Sequence, residues 1–249
     1  MSMRKKILVT GSSSGLGFAI AKDLNKKGYL VVVNGRNLNK LKKICEKEKF
    51  YGFEAGDLSK EKDAKKVSVK SYKKLKGIDA VICCVGESKS CPPNKEKFKD
   101  WKKMFEQNFF TTTNIIENTK KYLEKSKGKI ICISSICGNE LIKGSPITYS
   151  TSKAALNFYI KSLSHYLAKK NISVNLISPG NIMFKGSVWD KKMKKNSSAT
   201  KKLISDKVPM KKFGSLNDIV QITSFILSEK NNFITGANFV IDGGQTIKL

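Results

Sequence analysis

Histidine is nearly missing from this chain: His165 is the single example in 249 residues. The six cysteines, Cys45, Cys83, Cys84, Cys91, Cys132 and Cys137, include no CxxC pair. With so few ligands of the usual kinds, a zinc site is not expected, and no metal is assigned. Reduced, mostly buried thiols are the expectation instead. No apolar run approaches the roughly 20 residues that span a bilayer. The first residues, MSMRKKILVTGSS, lack the apolar core of a signal peptide and read as the start of a strand. The expected location is the cytoplasm. Pro/Gly/Ser linkers, internal repeats and low-complexity blocks are also missing, so one domain over 1–249 is expected.

Acids are scarce too, 20 against 48 basic residues, and the net charge is +28. Such an excess raises nucleic-acid binding as a reading. The lysines run along the whole chain, however, with no basic stripe interleaved with aromatics. A lysine-rich surface is the simpler account, and no nucleic-acid or membrane partner is expected. One local excess stands out: Lys185 to Lys212 holds ten lysines and only Asp190 and Asp206 as acids.

Short β-branched runs alternate with helical patterns. Strands are expected at 6–10, 29–34, 50–55, 79–85, 129–134, 172–178 and 237–242. Helices are expected at 16–27, 37–48, 60–75, 98–126 with a break near Asn108, 149–170 and 215–229. Leu16, Ile20 and Leu24 recur at i, i+4, i+8, and Gly28 follows as a helix stop. Residues 181–212 show little apolar periodicity and read as an excursion. The pattern implies an α/β fold: a Rossmann-like, doubly wound parallel sheet of about seven strands, with helices on both faces.

The first strand runs into Thr10-Gly11-Ser12-Ser13-Ser14-Gly15-Leu16-Gly17. Gly11 suits a tight turn, while Gly15 and Gly17 admit close approach of a pyrophosphate. The following helix would offer its free N–H groups. The second strand ends in Asn34-Gly35-Arg36, with no acid for a ribose 2′-hydroxyl. Arg36 suits a 2′-phosphate, so NADP(H) is expected over NAD(H). Tyr149 and Lys153 stand one helical turn apart. An ammonium held near a phenol lowers its pKa, and roughly 4 kcal/mol at 4 Å suffices to shift it by one or two units.

These motifs, spread over the whole chain, resemble the short-chain dehydrogenase/reductase family. The resemblance implies that Tyr149 is the acid/base of a carbonyl–alcohol interconversion by hydride transfer. It implies that Ser135 holds the substrate oxygen, that Lys153 also grips the nicotinamide ribose, and that Asn108 helps hold a water relay. It places Ser13, Ser14, Leu16, Asp57, Leu58, Gly86, Pro179, Gly180 and Ile182 on the cofactor beside Gly11, Gly15, Gly17 and Arg36. Asp57 would bond the adenine, or simply cap the helix after it. Asp242-Gly243-Gly244 would be structural. Three departures are visible: Cys83-Cys84 where the family commonly has two asparagines, Phe184 where a threonine contacts phosphate, and a Ser135–Tyr149 spacing one residue longer than usual.

The excursion 181–212 falls where the family carries a substrate lid. Phe184, Val188, Trp189 and Met193 would form an apolar wall. The lysines would attract an anionic substrate, such as a 3-oxoacyl thioester on an acidic carrier or a sugar derivative. The closest general resemblance is to 3-oxoacyl-carrier-protein reductases and sugar or polyol dehydrogenases. A homo-oligomer, tetramer or dimer, is implied, with 98–126 and 149–170 at the interface. His165 reads as an ordinary helix residue. The competing reading is a non-catalytic NADP(H)-binding regulatory module.

Overall fold

The computed structural model describes residues 4–228 and 231–247. Seven parallel strands form one sheet: β1 (Lys6–Val9), β2 (Leu30–Gly35), β3 (Gly52–Ala55), β4 (Ala80–Cys83), β5 (Lys129–Ile133), β6 (Ser173–Pro179) and β7 (Asn238–Ile241). Their spatial order is β3-β2-β1-β4-β5-β6-β7. The chain winds outward from β1 in one direction, then returns to β4 and winds outward in the other. This is the expected doubly wound sheet, and ligands bind such sheets at the reversal, outside the carboxyl ends of the strands.

Helices cover both faces: α1 (Gly15–Lys26), α2 (Leu38–Glu48), α3 (Glu61–Leu75), α4 (Phe98–Phe105), α5 (Thr111–Ser126), α6 (Ile147–Ala168), α7 (Val188–Lys195), α8 (Ser197–Lys207) and α9 (Leu216–Leu227). Strands sandwiched in this way bury both of their sides, which is why they read as unbroken apolar runs. Leu8, Val32, Val81, Ile130 and Val174 point into one core, packed by α3, α5 and α6. Ile7, Val9, Val31, Val33, Ile82, Ile131 and Ile177 point into the other, packed by α1 and α9. Gly28 ends α1 at φ +85, a conformation that glycine adopts without strain.

The helix expected at 98–126 is interrupted as anticipated, and the interruption has a definite form. Glu106–Phe110 makes one π turn between α4 and α5, with Asn108 inside it. Residues 181–212 differ from expectation, since they carry two helices. Their periodicity was weak for a physical reason: α7 buries no residue, and α8 buries only Thr200 and Ile204. The last residue of the helix expected at 215–229 lies outside the described residues. No helix among the described residues is long and apolar enough to cross a membrane.

Candidate active site

The loop after β1 is built for close approach. Gly11 takes φ +60, and a Cβ there would stand 2.9 Å from the Val85 nitrogen. A Cβ on Gly17 would stand 2.5 Å from the Gly11 oxygen. Ser14 precedes α1 without a side-chain cap bond, and the first turn of α1 holds no acid. The helix end therefore presents its N–H groups to an incoming anion. Leu16 packs its side chain on the core beneath. A residue that motif reading passed over fixes the loop: Ser12 donates through Oγ to the Val9 carbonyl and accepts from the Asn34 N–H, while its own N–H donates to the Asn34 carbonyl. Sequence offered no sign of this, because a buried serine among three serines looks like its neighbours.

Ser13 reaches the corner of β2, where its Oγ would be 3.1 Å from a Cβ on Gly35. Ser13 and the exposed Arg36 therefore share one side of the crevice. Asp57 is partly committed elsewhere. Its Oδ1 accepts from the Ser59 N–H at 3.0 Å and from Ser59 Oγ at 2.8 Å, forming the turn into α3. Leu58 is buried, and its carbonyl accepts from Asn114 Nδ2.

The cysteines at the end of β4 are braced in a way the sequence did not announce. The Thr10 hydroxyl donates to the Ile82 carbonyl and accepts from the Cys84 N–H, tying β1 to β4. Burial pushes the Cys84 and Cys132 thiols up, so both are held as neutral, unreactive groups. No cluster of three or more His, Cys, Asp or Glu side chains able to hold a metal occurs among the described residues.

Gly86 is the hinge of the constellation. A Cβ on it would lie 3.1 Å from Asn108 Oδ1 and 3.4 Å from Lys153 Nζ, so the missing side chain lets these two groups sit close against the chain. Asn108, fully buried in its π turn, accepts from the Glu87 N–H at 3.0 Å and donates to the Glu87 carbonyl at 2.9 Å and the Met104 carbonyl at 3.1 Å. Its side chain is thus a clamp on the backbone of Glu87. Lys153 donates to the Ile133 carbonyl at the end of β5, 2.9 Å away. Ser135 follows that strand, stands close enough to the Tyr149 phenol to pull its pKa down, and accepts from the Cys137 N–H. The longer Ser135–Tyr149 spacing leaves this pair in contact. Gly138 makes it possible, since a Cβ there would meet the Lys153 backbone at 2.7 Å.

The electrostatics correct one expectation. Burial pushes the Tyr149 phenol well above its ordinary range, and the nearby Cys137 and Glu87 add to the rise, while the Ser135 bond opposes it. Lys153, with 3% of its surface exposed, is lowered by burial to about 8. The ammonium was expected to lower the phenol. Desolvation dominates instead and disfavours the charged form of both groups, and Lys153 is not among the groups that shift the phenol.

Beyond β6, a Cβ on Gly180 would collide with Asp242 at 2.7 Å, so Pro179-Gly180 turns against the last strand. Asp242 accepts from the Gly244 N–H, the Thr246 N–H and the Thr246 hydroxyl, the structural part expected of it. Ile182 forms a parallel bridge with Gly214, made by the Asn181 carbonyl and the Met183 N–H. In a parallel bridge of that kind the central residue's own N–H and carbonyl point the opposite way. The expected apolar wall is split. The Phe184 ring packs on the glycine loop, 3.2 Å from a Cβ built on Gly15, whereas Trp189 packs against Phe213 under Lys192. Val188 stands exposed, and Met193 joins neither group in these contacts. His165 is exposed beside Tyr166, far along α6 from Tyr149.

Comparison with known proteins places the chain by family and fold. The profile of a family described as enoyl-(acyl carrier protein) reductase matches residues 11–246. Glucose 1-dehydrogenase of Gluconobacter oxydans is 32% identical over 98% of this chain and 92% of its own length. A 3-oxoacyl-[acyl-carrier-protein] reductase of Rickettsia prowazekii is 33% identical over 97% and 96%. Among solved structures, L-sorbose reductase of Gluconobacter frateurii, complexed with NADPH and L-sorbose, superposes with a TM-score of 0.90 at 25% identity, over 100% of this chain and 99% of that one. A structure titled ElxO with NADP bound gives 0.89 at 29% identity, over 98% and 99%.

Proposed function

The chain belongs to the short-chain dehydrogenase/reductase family of oxidoreductases, and from that premise we propose that it is an NADP(H)-dependent enzyme interconverting a carbonyl and an alcohol, with Tyr149 as acid/base. The observation that carries this reading is the gathering of Ser135, Tyr149, Lys153 and Asn108 around Gly86 beyond the carboxyl ends of β4 and β5, with Ser135 close enough to oppose the rise in the Tyr149 pKa. The residues present fit the cofactor. Gly11, Gly15 and Gly17 let the loop pack tightly on Cys84, Val85, Phe184 and its own backbone, and α1 follows with an acid-free N-terminus suited to a phosphate. Arg36 and Ser13 flank the place of a 2′-phosphate, which supports NADP(H) over NAD(H). Gly86, Ile182 and Lys153 would line the nicotinamide side. When bound, the cofactor supplies the hydride.

The chain's own groups handle the proton and the oxygen. Ser135 holds the carbonyl oxygen by a hydrogen bond. Tyr149, protonated at neutral pH as a phenol ordinarily is and held so more firmly by burial, would give its proton to that oxygen. Its resting protonation state therefore suits reduction. Lys153, one helical turn along α6, would stabilise the phenolate that remains. Asn108 keeps the wall at Glu87 in place.

The ten lysines of 185–212 would draw an anionic carrier or substrate to this face of the protein, without selecting between a 3-oxoacyl thioester and a sugar derivative at the reacting carbon. The exposed aromatics Phe158 and Tyr166 on α6 support a homo-oligomer. The test of the catalytic reading is Tyr149→Phe, assayed by loss of NADPH absorbance over a panel of ketones, thioesters and sugars. We expect a fall in kcat of about a thousandfold or more, with the Kd for NADPH unchanged within about twofold. Wild-type turnover retained by the variant would dismiss Tyr149 as the acid.

A further inference from the structure

The segment after β4 borders the site through Gly86, which abuts Asn108 and Lys153, and it is pinned at two points. At one end Asn108 clamps the backbone of Glu87 from both sides. At the other, Ser90 Oγ and Thr148 Oγ1 share a 2.7 Å hydrogen bond, and Thr148 is the residue before Tyr149. Gly86, just before Glu87, touches Asn108 and Lys153. Glu87 is thus held between the Lys153 side of the site and the first turn of α6. Its Oε1 accepts from the Lys89 N–H at 2.9 Å, which fixes the carboxylate on this wall. The group is exposed, and its charge is felt by the Tyr149 phenol. In a chain with 20 acids against 48 bases, an acid held at this point calls for a use.

We propose that the Glu87 carboxylate determines specificity, accepting a hydrogen bond from a hydroxyl on the carbon beside the reacting carbonyl, so that the site takes neutral α-hydroxy carbonyl compounds. This rests on the carbonyl-reductase reading above and narrows it. A fixed carboxylate has spare lone pairs and no proton to give, so it selects donors. A 3-oxoacyl chain offers none beside its ketone; a ketose or small hydroxyketone does. An anionic group in the same position meets like charge at short range. The lysines of α7 and α8 draw anions toward the protein as a whole, but Glu87 acts at the reacting carbon.

The test compares hydroxyacetone with 2-butanone, which replaces the hydroxyl by a methyl, and with pyruvate, which replaces the hydroxymethyl group by a carboxylate. Each is reduced with saturating NADPH by the wild-type protein, E87Q and E87A. A hydrogen bond to a charged group predicts a wild-type preference for hydroxyacetone over 2-butanone of about ten- to a hundredfold in kcat/KM. That ratio should fall to within about threefold in E87A and to an intermediate value in E87Q, with pyruvate gaining relative to 2-butanone in both. Equal losses on all three substrates would overturn the proposal, because they would mean that Glu87 only shapes the wall or tunes Tyr149. So would a preference that survives in E87A, or a wild type that reduces 2-butanone as well as hydroxyacetone. A wild type that reduces no carbonyl at all while binding NADPH removes the enzymatic reading itself, and is recognised by that wider failure.

Discussion

Lys153 carries a cost that its function explains. Its amine is buried and lowered to about 8, so between that pH and the ordinary lysine range the folded chain binds fewer protons than the unfolded one. Stability from this group therefore rises with pH across the window, and the protonated form is the penalised one below it. Lys153→Met should melt above the wild type at pH 7, by about 2–6 °C, with the gap closing as pH rises from 8 toward 10. The same variant should lose turnover. Thermal melts at several pH values check this, and a variant that melts lower at pH 7 would show that the bond to the Ile133 carbonyl outweighs the burial cost. At this scale the sequence was legible where a residue type is rare for its place. Tyr149, Lys153, Ser135 and Asn108 stood out because four motif positions coincided. Ser12, Thr10 and Glu87 did not, since their parts depend on which backbone atoms the fold brings to them.

Elements were legible in proportion to what they bury. The central strands announced themselves because burial on both faces leaves few polar positions to blur the run, whereas β3 and β7, only partly buried, showed through short aromatic and β-branched runs. The helices α7 and α8 were hidden, since a helix that buries almost nothing shows no stripe. The break near Asn108 was visible, but its π form was not, because five residues hold too little periodicity to separate the two kinds of turn. In the proposed reading, stability and cofactor binding meet at the β1–α1 junction. Gly17 sits inside the helix, yet its Cβ would fall 2.5 Å from the Gly11 oxygen, a backbone atom that cannot turn aside. Gly17→Ala should then cost about 1–3 kcal/mol of stability. It should also weaken NADPH binding by tenfold or more, because the shift displaces the loop that cradles the phosphates. Chemical denaturation and a fluorescence titration of NADPH read the two effects separately; a variant of normal stability and affinity would show that the loop relaxes freely.

Over the whole molecule, a charge of +28 and exposed aromatic surface pull in opposite directions. Phe158 is 78% exposed and Tyr166 67%, both on α6, which is a large apolar outlay for a surface helix. Covering them by a second copy gains burial at roughly 25 cal/mol per Å², a quantity that salt barely touches. Bringing two such cations together costs Coulomb energy that does depend on salt, since the screening length shrinks from about 30 Å at 0.01 M to about 8 Å at 0.15 M. The sign of the salt effect therefore reports what holds the assembly. If apolar faces do, association tightens as salt rises. If lysine–carboxylate pairs do, it loosens. The apolar account predicts that sedimentation velocity at micromolar protein finds a larger fraction of oligomer at about 0.3 M NaCl than at about 0.02 M. Phe158→Lys should shift the same sample toward monomer at both salts, by adding a charge and removing an anchor together. Monomer throughout, or an oligomer that dissolves with added salt, would refute the apolar interface on α6.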